Sequence, residues 1–185
     1  MTSLGKVRII GGKWRGRKLN VVNDDSLRPT PDRTRETLFN WLQGSINGAR
    51  CLDLFAGTGV LGFEALSRGA SEVLMVEADP IIADSLRQSA DNLECNTHMI
   101  ECVDALNITE KKPGNFDIIF VDPPFKHGYI EKCCQMIIEY SLLKPNGMVY
   151  IESEKDVKIP SKFIISKETQ TKQTRSVLTK LEKSI

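Results

Sequence analysis

From Arg50 onward, short apolar runs alternate with stretches in which apolar residues recur at helical spacing. Strands that alternate with amphipathic helices along a chain favour a mostly parallel sheet with helices on both faces. The predicted strands lie near residues 51–55, 72–77, 98–103, 116–121 and 147–152, and the predicted helices near residues 59–68, 80–94 and 128–141. Two later runs, Phe163–Ser166 and Ser176–Leu181, have no helix between them. We therefore expect an α/β fold whose sheet ends in an antiparallel hairpin.

The first residues have a different pattern, in which two short apolar segments flank glycines. Lys6–Ile10 and Arg17–Val22 are expected to pair across the bends at Gly11, Gly12 and Gly16. At 185 residues the chain is long enough to bury a core as a single domain, residues 1–185. Within it we distinguish a basic hairpin and cap helix, residues 1–45, from the alternating body, residues 46–185.

One helix is predicted between the hairpin and the body. Thr30 suits an N-cap with Pro31 at the first helical position, and the helix is expected to run to about Gln43. Its predicted buried residues are Leu38, Phe39 and Leu42. A similar cap, Asp79 followed by Pro80, is expected to open the second helix of the body.

A glycine-rich turn follows the first strand of the body. Cys51–Phe55 runs into Ala56–Gly62, and glycine there lets a ligand approach the backbone and the free N–H groups of the next helix. The spacing matches the dinucleotide fingerprint, which is a weak signal alone. Asp53 lies inside the strand, where a carboxylate would repel a phosphate but could hold an ammonium group. The turn therefore favours a cofactor that carries an amino acid.

Acidic residues also end the next two predicted strands. Glu77 follows the second strand at about the offset where an acid meets a ribose diol, and Asp104 with Ala105 follows the third, where they could contact an adenine amine. Each acid alone could be an ordinary exposed residue at a strand end. Together with the glycine-rich turn, three acids at successive strand ends fit the binding crevice of an open α/β sheet.

Asp122, Pro123, Pro124 and Phe125 follow directly on the apolar run Phe116–Val121. The Asp122 carboxylate and the Pro123 carbonyl can accept the two N–H groups of a nucleobase amine, which localises the lone pair on its nitrogen. Phe125 can stack on a base that has left its helix. The alternative is an acidic turn after a buried strand, with Phe125 in the core.

Charge is distributed unevenly along the chain, although its net value is only +1. Residues 1–50 carry ten Lys or Arg against four acids, and residues 51–185 carry fifteen against twenty. A basic arm on a mildly acidic body is typical of a phosphate-contacting surface, although a merely solubilising terminus is the alternative. The candidate nucleic-acid contacts are Arg8, Lys13, Arg15, Arg17 and Arg28.

The cysteines and histidines indicate neither a metal site nor a disulfide framework. The five cysteines show no Cys-x-x-Cys or Cys/His spacing, and Cys133 and Cys134 fall on one apolar helix face. His127 is close enough to Phe125 to be a possible neighbour of the site. With no apolar run long enough for a membrane and no signal-peptide region, we expect a cytoplasmic protein with reduced thiols and no metal.

Two segments resemble methyltransferase motifs. Asp53–Gly59 resembles the first motif of S-adenosylmethionine-dependent methyltransferases, and Asp122–Phe125 resembles the fourth motif of those that act on exocyclic amines. Further segments resemble the bacterial small-subunit ribosomal RNA guanine-N2 methyltransferases of the RsmD family: Arg8–Gly12, Trp14–Arg17, Arg28–Thr30, Asp32–Arg33, Arg35–Asn40 and Tyr150–Glu154. The chain departs from this family at Lys172–Ser176, where the relatives have a glycine and a tyrosine.

The resemblance implies a Rossmann-like class I methyltransferase fold with a seven-stranded sheet. It also implies methyl transfer from S-adenosylmethionine to guanine N2 in 16S ribosomal RNA, with S-adenosylhomocysteine as product, by a monomer acting on a largely assembled small subunit. The implied cofactor contacts are Asp53, Phe55, Gly57 and Gly59 for the methionine part, Glu77 for the ribose, and Asp104 and Ala105 for the adenine. The implied catalytic residues are Asp122 and Pro123, which orient the amine, and Phe125, which stacks on the base.

Three alternatives stay open from the residues themselves. An adenine-N6 methyltransferase of DNA or RNA shares the same pair of motifs. A non-catalytic RNA-binding assembly factor could retain a cofactor pocket. A nicotinamide oxidoreductase is the weakest alternative, because it leaves Asp53 and the Asp122–Phe125 segment unexplained.

Overall fold

A seven-stranded sheet with helices on both faces forms the body of the protein, and a separate two-stranded hairpin precedes it. The computed structural model describes residues 6–21, 31–96, 98–111, 114–125 and 128–182. The hairpin pairs β1 (Lys6–Arg8) with β2 (Lys18–Asn20) in antiparallel register, as predicted. The sheet strands are β3 (Arg50–Asp53), β4 (Glu72–Glu77), β5 (His98–Cys102), β6 (Phe116–Val121), β7 (Leu143–Glu154), β8 (Phe163–Gln170) and β9 (Thr174–Leu181). The α-helices are α1 (Asp32–Trp41), α2 (Val60–Ser67), α3 (Pro80–Asn92) and α4 (Tyr129–Glu139).

The strand order is β5-β4-β3-β6-β7-β9-β8, and every pairing among β3 to β7 is parallel. Strand β9 runs antiparallel to both β7 and β8. The predicted mostly parallel sheet and its antiparallel C-terminal hairpin are therefore confirmed. The chain crosses from β3 outward in one direction and from β6 outward in the other, which opens a crevice at the carboxyl ends of these two strands.

The core has two layers, one on each face of the sheet. One layer packs α1, α2 and α3 against the sheet, and the predicted contacts Leu38, Phe39 and Leu42 are buried in it. The other layer packs α4 against the opposite face and includes Cys133 and Cys134, as predicted. All five cysteines are free thiols. Four of them are buried in these layers as small apolar side chains, whereas Cys102 is exposed.

Several element boundaries differ from the prediction. Pro31 is the N-cap residue of α1 rather than its first helical residue, because its ψ of 146° is extended, and the helix ends at Trp41 rather than near Gln43. Thr30 and Val22 lie outside the described residues. Strand β7 begins at Leu143, before the predicted residue 147, since its first residues pair irregularly with β6. The predicted cap of α3 is confirmed: Asp79 Oδ1 accepts the backbone N–H groups of Ile81 and Ile82 at 2.7 and 3.2 Å.

A buried ionic cluster fixes the N-terminal segment to the body. Arg35 and Glu64 are both fully buried, with Arg35 Nη1 3.6 Å from Glu64 Oε2, and Glu64 Oε1 also pairs with Arg68 Nε at 2.7 Å. Arg35 Nη1 donates to the Arg8 carbonyl at 2.9 Å, and the Ile10 N–H donates to Glu64 Oε2 at 2.8 Å. Because buried charges are costly unless paired and hydrogen-bonded, this cluster holds β1, α1 and α2 in one arrangement.

In the described part of the chain, no helix combines the length and the apolar composition that crossing a bilayer requires.

Candidate active site

A cleft of about 860 Å³ lies at the carboxyl ends of the parallel strands. Nine of the ten residues predicted to bind cofactor or to act in catalysis line it: Asp53, Phe55, Gly57, Glu77, Asp104, Ala105, Asp122, Pro123 and Phe125. They come from segments far apart in sequence. The parallel topology brings them together because all of these strands end at the same edge of the sheet.

Gly59 is the exception, since it does not line the cleft. A Cβ at Gly59 would lie 2.5 Å from Leu86 Cδ2 and 2.6 Å from Phe63 Cε2, and its φ is +74°. The absence of a side chain lets the turn pack against α2 and α3 in a left-handed conformation. The structure therefore assigns Gly59 a place behind the cleft wall, where it shapes the turn.

Hydrogen bonds to strand β4 hold the glycine-rich turn. The Ala56 N–H donates to the Val76 carbonyl at 2.9 Å, and the Gly57 N–H donates to Glu77 Oε2 at 3.0 Å. Glu77 Oε1 in turn accepts the Asp79 N–H at 2.9 Å. Glu77 thus joins the turn after β3 to the start of α3 and keeps its carboxylate on the cleft wall, where its oxygens retain lone pairs for further donors.

Asp53 is a buried carboxyl group at the base of the cleft, with only 1% of its surface exposed. Burial raises its pKa to about 7, although the hydrogen bond from the Gly62 N–H opposes the shift. Asp53 Oδ2 accepts that N–H at 3.2 Å, whereas Oδ1 has no hydrogen-bond partner among the described residues. A buried oxygen without a donor is costly, so the site is suited to a ligand that brings one.

Asp104 organises the wall after β5. Its Oδ1 accepts the Leu106 N–H at 2.8 Å, and its carbonyl accepts the Asn107 N–H at 2.9 Å, which starts the 3₁₀ helix Ala105–Lys111. Ala105 is buried, and its small side chain leaves room on the cleft wall. Asp104 and Ala105 thus form a partly polar section of the same cleft wall as Glu77.

The Asp122–Phe125 segment follows β6 and forms another part of the cleft wall. Pro123 is buried, whereas Asp122 and Phe125 are half-buried and face the cleft. The alternative in which Phe125 belongs to the core is therefore wrong. Nearby, the rings of Phe55 and Tyr129 pack edge to face, with centroids 5.2 Å apart. Aromatic side chains therefore line the same cleft as the Asp122 carboxylate.

Glu152 is a cleft residue that the sequence did not identify as part of the site. It is 5% exposed, lies at the end of β7 and lines the cleft. Its Oε2 accepts a hydrogen bond from Tyr150 Oη at 2.8 Å. Burial raises the pKa of Tyr150 well above its usual value, and the charges of Glu152 and Asp122 raise it further, so its hydroxyl remains a donor. The spacing of two residues indicates that Tyr150 and Glu152 share a face of β7. It does not show that β7 lies beside β6, which is what brings Glu152 to the cleft.

The turn between β8 and β9 also reaches the cleft, which the sequence did not indicate. Residues Thr171–Thr174 line it, opposite Pro31. The turn is well ordered by its own hydrogen bonds, because Thr171 Oγ1 accepts the N–H groups of Gln173 and Thr174 at 3.2 and 2.9 Å. This is the segment in which the chain departs from the family it resembles.

Four of the five predicted RNA-contacting residues, Arg8, Lys13, Arg15 and Arg17, lie in the N-terminal hairpin and its loop. Arg8 Nε pairs with Asp32 Oδ2 at 2.9 Å, and Arg17 donates to the Asn92 carbonyl. Lys13 Nζ lies 4.1 Å from the centroid of the Trp14 ring, and both Lys13 and Arg15 are exposed. Arg28 and His127 lie outside the described residues. Lys13 and Arg15 form no salt bridge within the described part of the chain, which leaves their charges available to a polyanion.

The hairpin is attached at the end of the body that faces away from the cleft. Trp14 donates its backbone N–H to Ser67 Oγ at 3.0 Å, and Arg17 reaches Asn92, so the contacts are at the last residues of α2 and α3. The first residues of both helices line the cleft. Helices α2 and α3 have 8 and 13 residues, so at 1.5 Å per residue they separate these two regions by about 12 to 20 Å.

Metal ligation has no evident basis in the geometry. The described residues contain no group of three or more His, Cys, Asp and Glu side chains placed to hold a metal ion.

Comparison with known proteins identifies relatives along nearly the whole chain. A family model described as "Conserved hypothetical protein 95" matches residues 7–181. Ribosomal RNA small subunit methyltransferase D from Haemophilus influenzae is 44% identical over 173 residues, which cover 90% of each chain. The protein of the same name from Escherichia coli K12 is 41% identical over 157 residues, which cover 85% of this chain and 79% of that one. The solved structure of yhhF from Escherichia coli has a TM-score of 0.89 at 38% identity and covers 97% of this chain and 100% of that chain.

Proposed function

Because this chain belongs to the family described as Conserved hypothetical protein 95, we propose that it transfers a methyl group from S-adenosylmethionine to N2 of a guanine in small-subunit (16S) ribosomal RNA. Its fold is that of the Rossmann-like class I methyltransferases, and it is an S-adenosylmethionine-dependent ribosomal RNA methyltransferase. The single observation that carries the proposal is that Asp53 and Asp122 line one cleft, at the ends of the paired strands β3 and β6. The choice of guanine N2 rests on the resemblance of the N-terminal segments to that family.

The residues around Asp53 fit the cofactor. The unpartnered Asp53 Oδ1 suits the ammonium of the methionine part, which Phe55 and Gly57 would flank. Glu77 would accept the ribose hydroxyls, and Asp104 with Ala105 would hold the adenine. When bound, the cofactor supplies a methyl group already activated by the positive charge of its sulfur. No metal is required for this chemistry.

The Asp122–Phe125 segment would prepare the exocyclic amine, which is the nucleophile. An exocyclic amine shares its lone pair with the ring, so it reacts poorly until hydrogen bonds hold its two N–H groups. The Asp122 carboxylate and the Pro123 carbonyl would accept them, and Phe125 would stack on the flipped base. The prolines fix these acceptors before the base arrives, so no reorientation is needed as charge develops on the nitrogen. Catalysis would come mainly from alignment and the exclusion of water.

The hairpin would hold the RNA at a distance from the reacting base. Its exposed cations, Lys13 and Arg15, flank Trp14, which contacts the last residue of α2, and the 8 residues of this helix place that contact about 12 Å from the cleft. A contact at this distance must be to phosphates of neighbouring RNA rather than to the target nucleotide. The proposal divides the single domain into a guiding segment, residues 1–45, and a catalytic body, residues 46–185.

The remaining features of the proposal come from the family resemblance. The substrate is a largely assembled small subunit, the enzyme acts as a monomer in the cytoplasm, and S-adenosylhomocysteine is the second product. An even distribution of labelled product between free RNA and subunits would contradict the first of these statements.

The test is parallel incubation of the protein and labelled methyl donor with unmethylated small subunits, free ribosomal RNA and DNA. We expect incorporation into the small subunit, with N2-methylguanosine as the labelled nucleoside by mass spectrometry. N6-methyladenosine as the product would replace guanine N2 with adenine N6. Cofactor binding without incorporation into any substrate would indicate a non-catalytic assembly factor.

A further inference from the structure

Glu152 lies beside Asp122 at the edge of the sheet. Strands β6 and β7 are parallel, and Val121 pairs with Ile151, so residues 122 and 152 occupy neighbouring positions where β6 ends. Both line the cleft. The reaction described above gives Asp122 a role and leaves Glu152 without one.

The hydroxyl of Tyr150 holds the Glu152 side chain in place. Tyr150 Oη donates to Glu152 Oε2 at 2.8 Å, and Tyr150 is itself fully buried. A carboxyl group has about four lone-pair positions, so the bond from Tyr150 does not exhaust its capacity as an acceptor. A buried carboxyl group fixed by a neighbour and facing a ligand cleft is arranged to accept a specific hydrogen bond.

Guanine presents such a donor next to the reacting amine. Its Watson–Crick edge carries N1–H immediately beside the N2 amino group, whereas N1 of adenine is an acceptor. If Asp122 and the Pro123 carbonyl take the two N2 hydrogens, the N1–H still needs a partner, and enzymes that flip a base read this edge by hydrogen bonds.

We infer that Glu152 accepts the N1–H of the flipped guanine and thereby selects guanine over bases whose N1 carries a lone pair. This inference rests on the proposed function. With an N1 acceptor in the cleft, two lone pairs would face each other in a site that excludes water. Polar sites that lose a required hydrogen bond reject the analogue strongly. Tyr150 is the positioning residue, because it acts only through Glu152.

The test compares guanine with 2-aminopurine at the modified position of reconstituted small subunits. 2-Aminopurine keeps the reactive 2-amino group but has an N1 acceptor and no O6. We expect the wild-type protein to methylate guanine at least about 100-fold more efficiently, in kcat/KM. In Glu152→Gln the amide can donate to N1, so the ratio is expected to narrow at least tenfold. The missing O6 affects both proteins equally, so the change in ratio reports on N1.

Two controls accompany this comparison. Glu154→Gln makes the same change two residues further along β7, and it should leave the guanine to 2-aminopurine ratio within twofold of the wild type. Affinity for S-adenosylmethionine should be unchanged in Glu152→Gln, which shows that the cofactor half is intact. A ratio in Glu152→Gln within twofold of the wild type would overturn the inference.

A comparison within the wild-type protein decides the matter even if Glu152→Gln does not fold. 6-Thioguanine loses O6 but keeps N1–H, so it should be methylated within about tenfold of guanine, far better than 2-aminopurine. Equal use of 6-thioguanine and 2-aminopurine would overturn the role of Glu152. A wild-type protein that methylates no guanine in any substrate would instead refute the proposed function.

Discussion

Asp53 shows how the fold sets the chemistry of a single residue. Burial raises the pKa of its carboxyl group from 3.8 to about 7. Between these values the folded chain keeps a proton that the unfolded chain has released. The contribution of Asp53 to the free energy of unfolding therefore falls as the pH rises through this window. The fold tolerates this cost at the position where the ammonium of the cofactor would compensate it.

We predict that cofactor affinity depends on pH through Asp53. The ammonium favours the ionised carboxylate, so binding below pH 7 must displace the Asp53 proton. The dissociation constant should tighten by up to about tenfold per pH unit towards pH 7 and then level off. Calorimetry in buffers of different ionisation enthalpy would detect the released proton. In Asp53→Asn the affinity should be weaker and nearly independent of pH below 7, and an unchanged slope would exclude Asp53 as the group responsible.

A second prediction separates the role of Asp122 in methyl transfer from the binding of the cofactor. Asp122→Ala should lower methylation at least about 100-fold, because the amine loses an acceptor that acts in the transition state. Affinity for S-adenosylmethionine should stay within about threefold of the wild type, since the proposed cofactor contacts do not include Asp122. Calorimetry and methyl incorporation on the same preparation measure both. Equal loss of binding and activity would contradict this division of roles.

At the scale of elements, the glycine-rich turn joins β3 to α2 and packs against α3. Gly59→Ala should be destabilising for two reasons: the left-handed backbone costs about 1–2 kcal/mol, and the added Cβ overlaps Leu86 and Phe63. Gly16→Ala is the matched control, because Gly16 has a similar φ of +84° with no atom within 4 Å of the added Cβ. Urea denaturation should show a loss for Gly59→Ala that exceeds that of Gly16→Ala by at least about 1 kcal/mol. Equal losses would mean that the packing contact has no effect.

At the scale of the whole molecule, the hairpin proposed to contact RNA lies apart from the cleft. The hairpin contacts the last residues of α2 and α3, whereas the first residues of these helices form the cleft. The buried pair of Arg35 and Glu64 connects the two regions rigidly. An RNA held on the hairpin therefore meets the cleft at a fixed distance, which suits a large structured substrate better than a short oligonucleotide.

We predict that the double variant Lys13→Ala/Arg15→Ala binds small-subunit RNA more weakly and with a flatter salt dependence. The slope of log affinity against log salt should decrease by about 2, since each removed phosphate contact contributes about one. Filter binding at several salt concentrations measures it. Lys132→Ala/Lys158→Ala removes the same charge from exposed positions outside the hairpin and should change the slope less. Equal changes in the two double variants would place the RNA surface elsewhere.

The sequence by itself determined the elements and most of the cleft. The alternation of strands and helices predicted the parallel sheet, because strand and helix periodicities are local properties. Asp53 and Glu77 end their strands, and Asp104 and Asp122 follow theirs. Because neighbouring parallel strands have their carboxyl ends on the same side of the sheet, the meeting of these acids was predictable without coordinates. The exact ends of α1 and β7 were not, because they depend on a single backbone torsion and on an irregular pairing.

Only the tertiary structure decided which residues complete the site. Glu152 joined it because β7 pairs with β6, and the turn Thr171–Thr174 because β9 pairs with β7. Gly59 left the cleft wall because its backbone packs against Leu86. The position of the hairpin behind the helices, and not beside the cleft, likewise came from Trp14 and Arg17 contacts. Strand order and register arise from side-chain packing between residues distant in sequence, and local patterns carry no record of that packing.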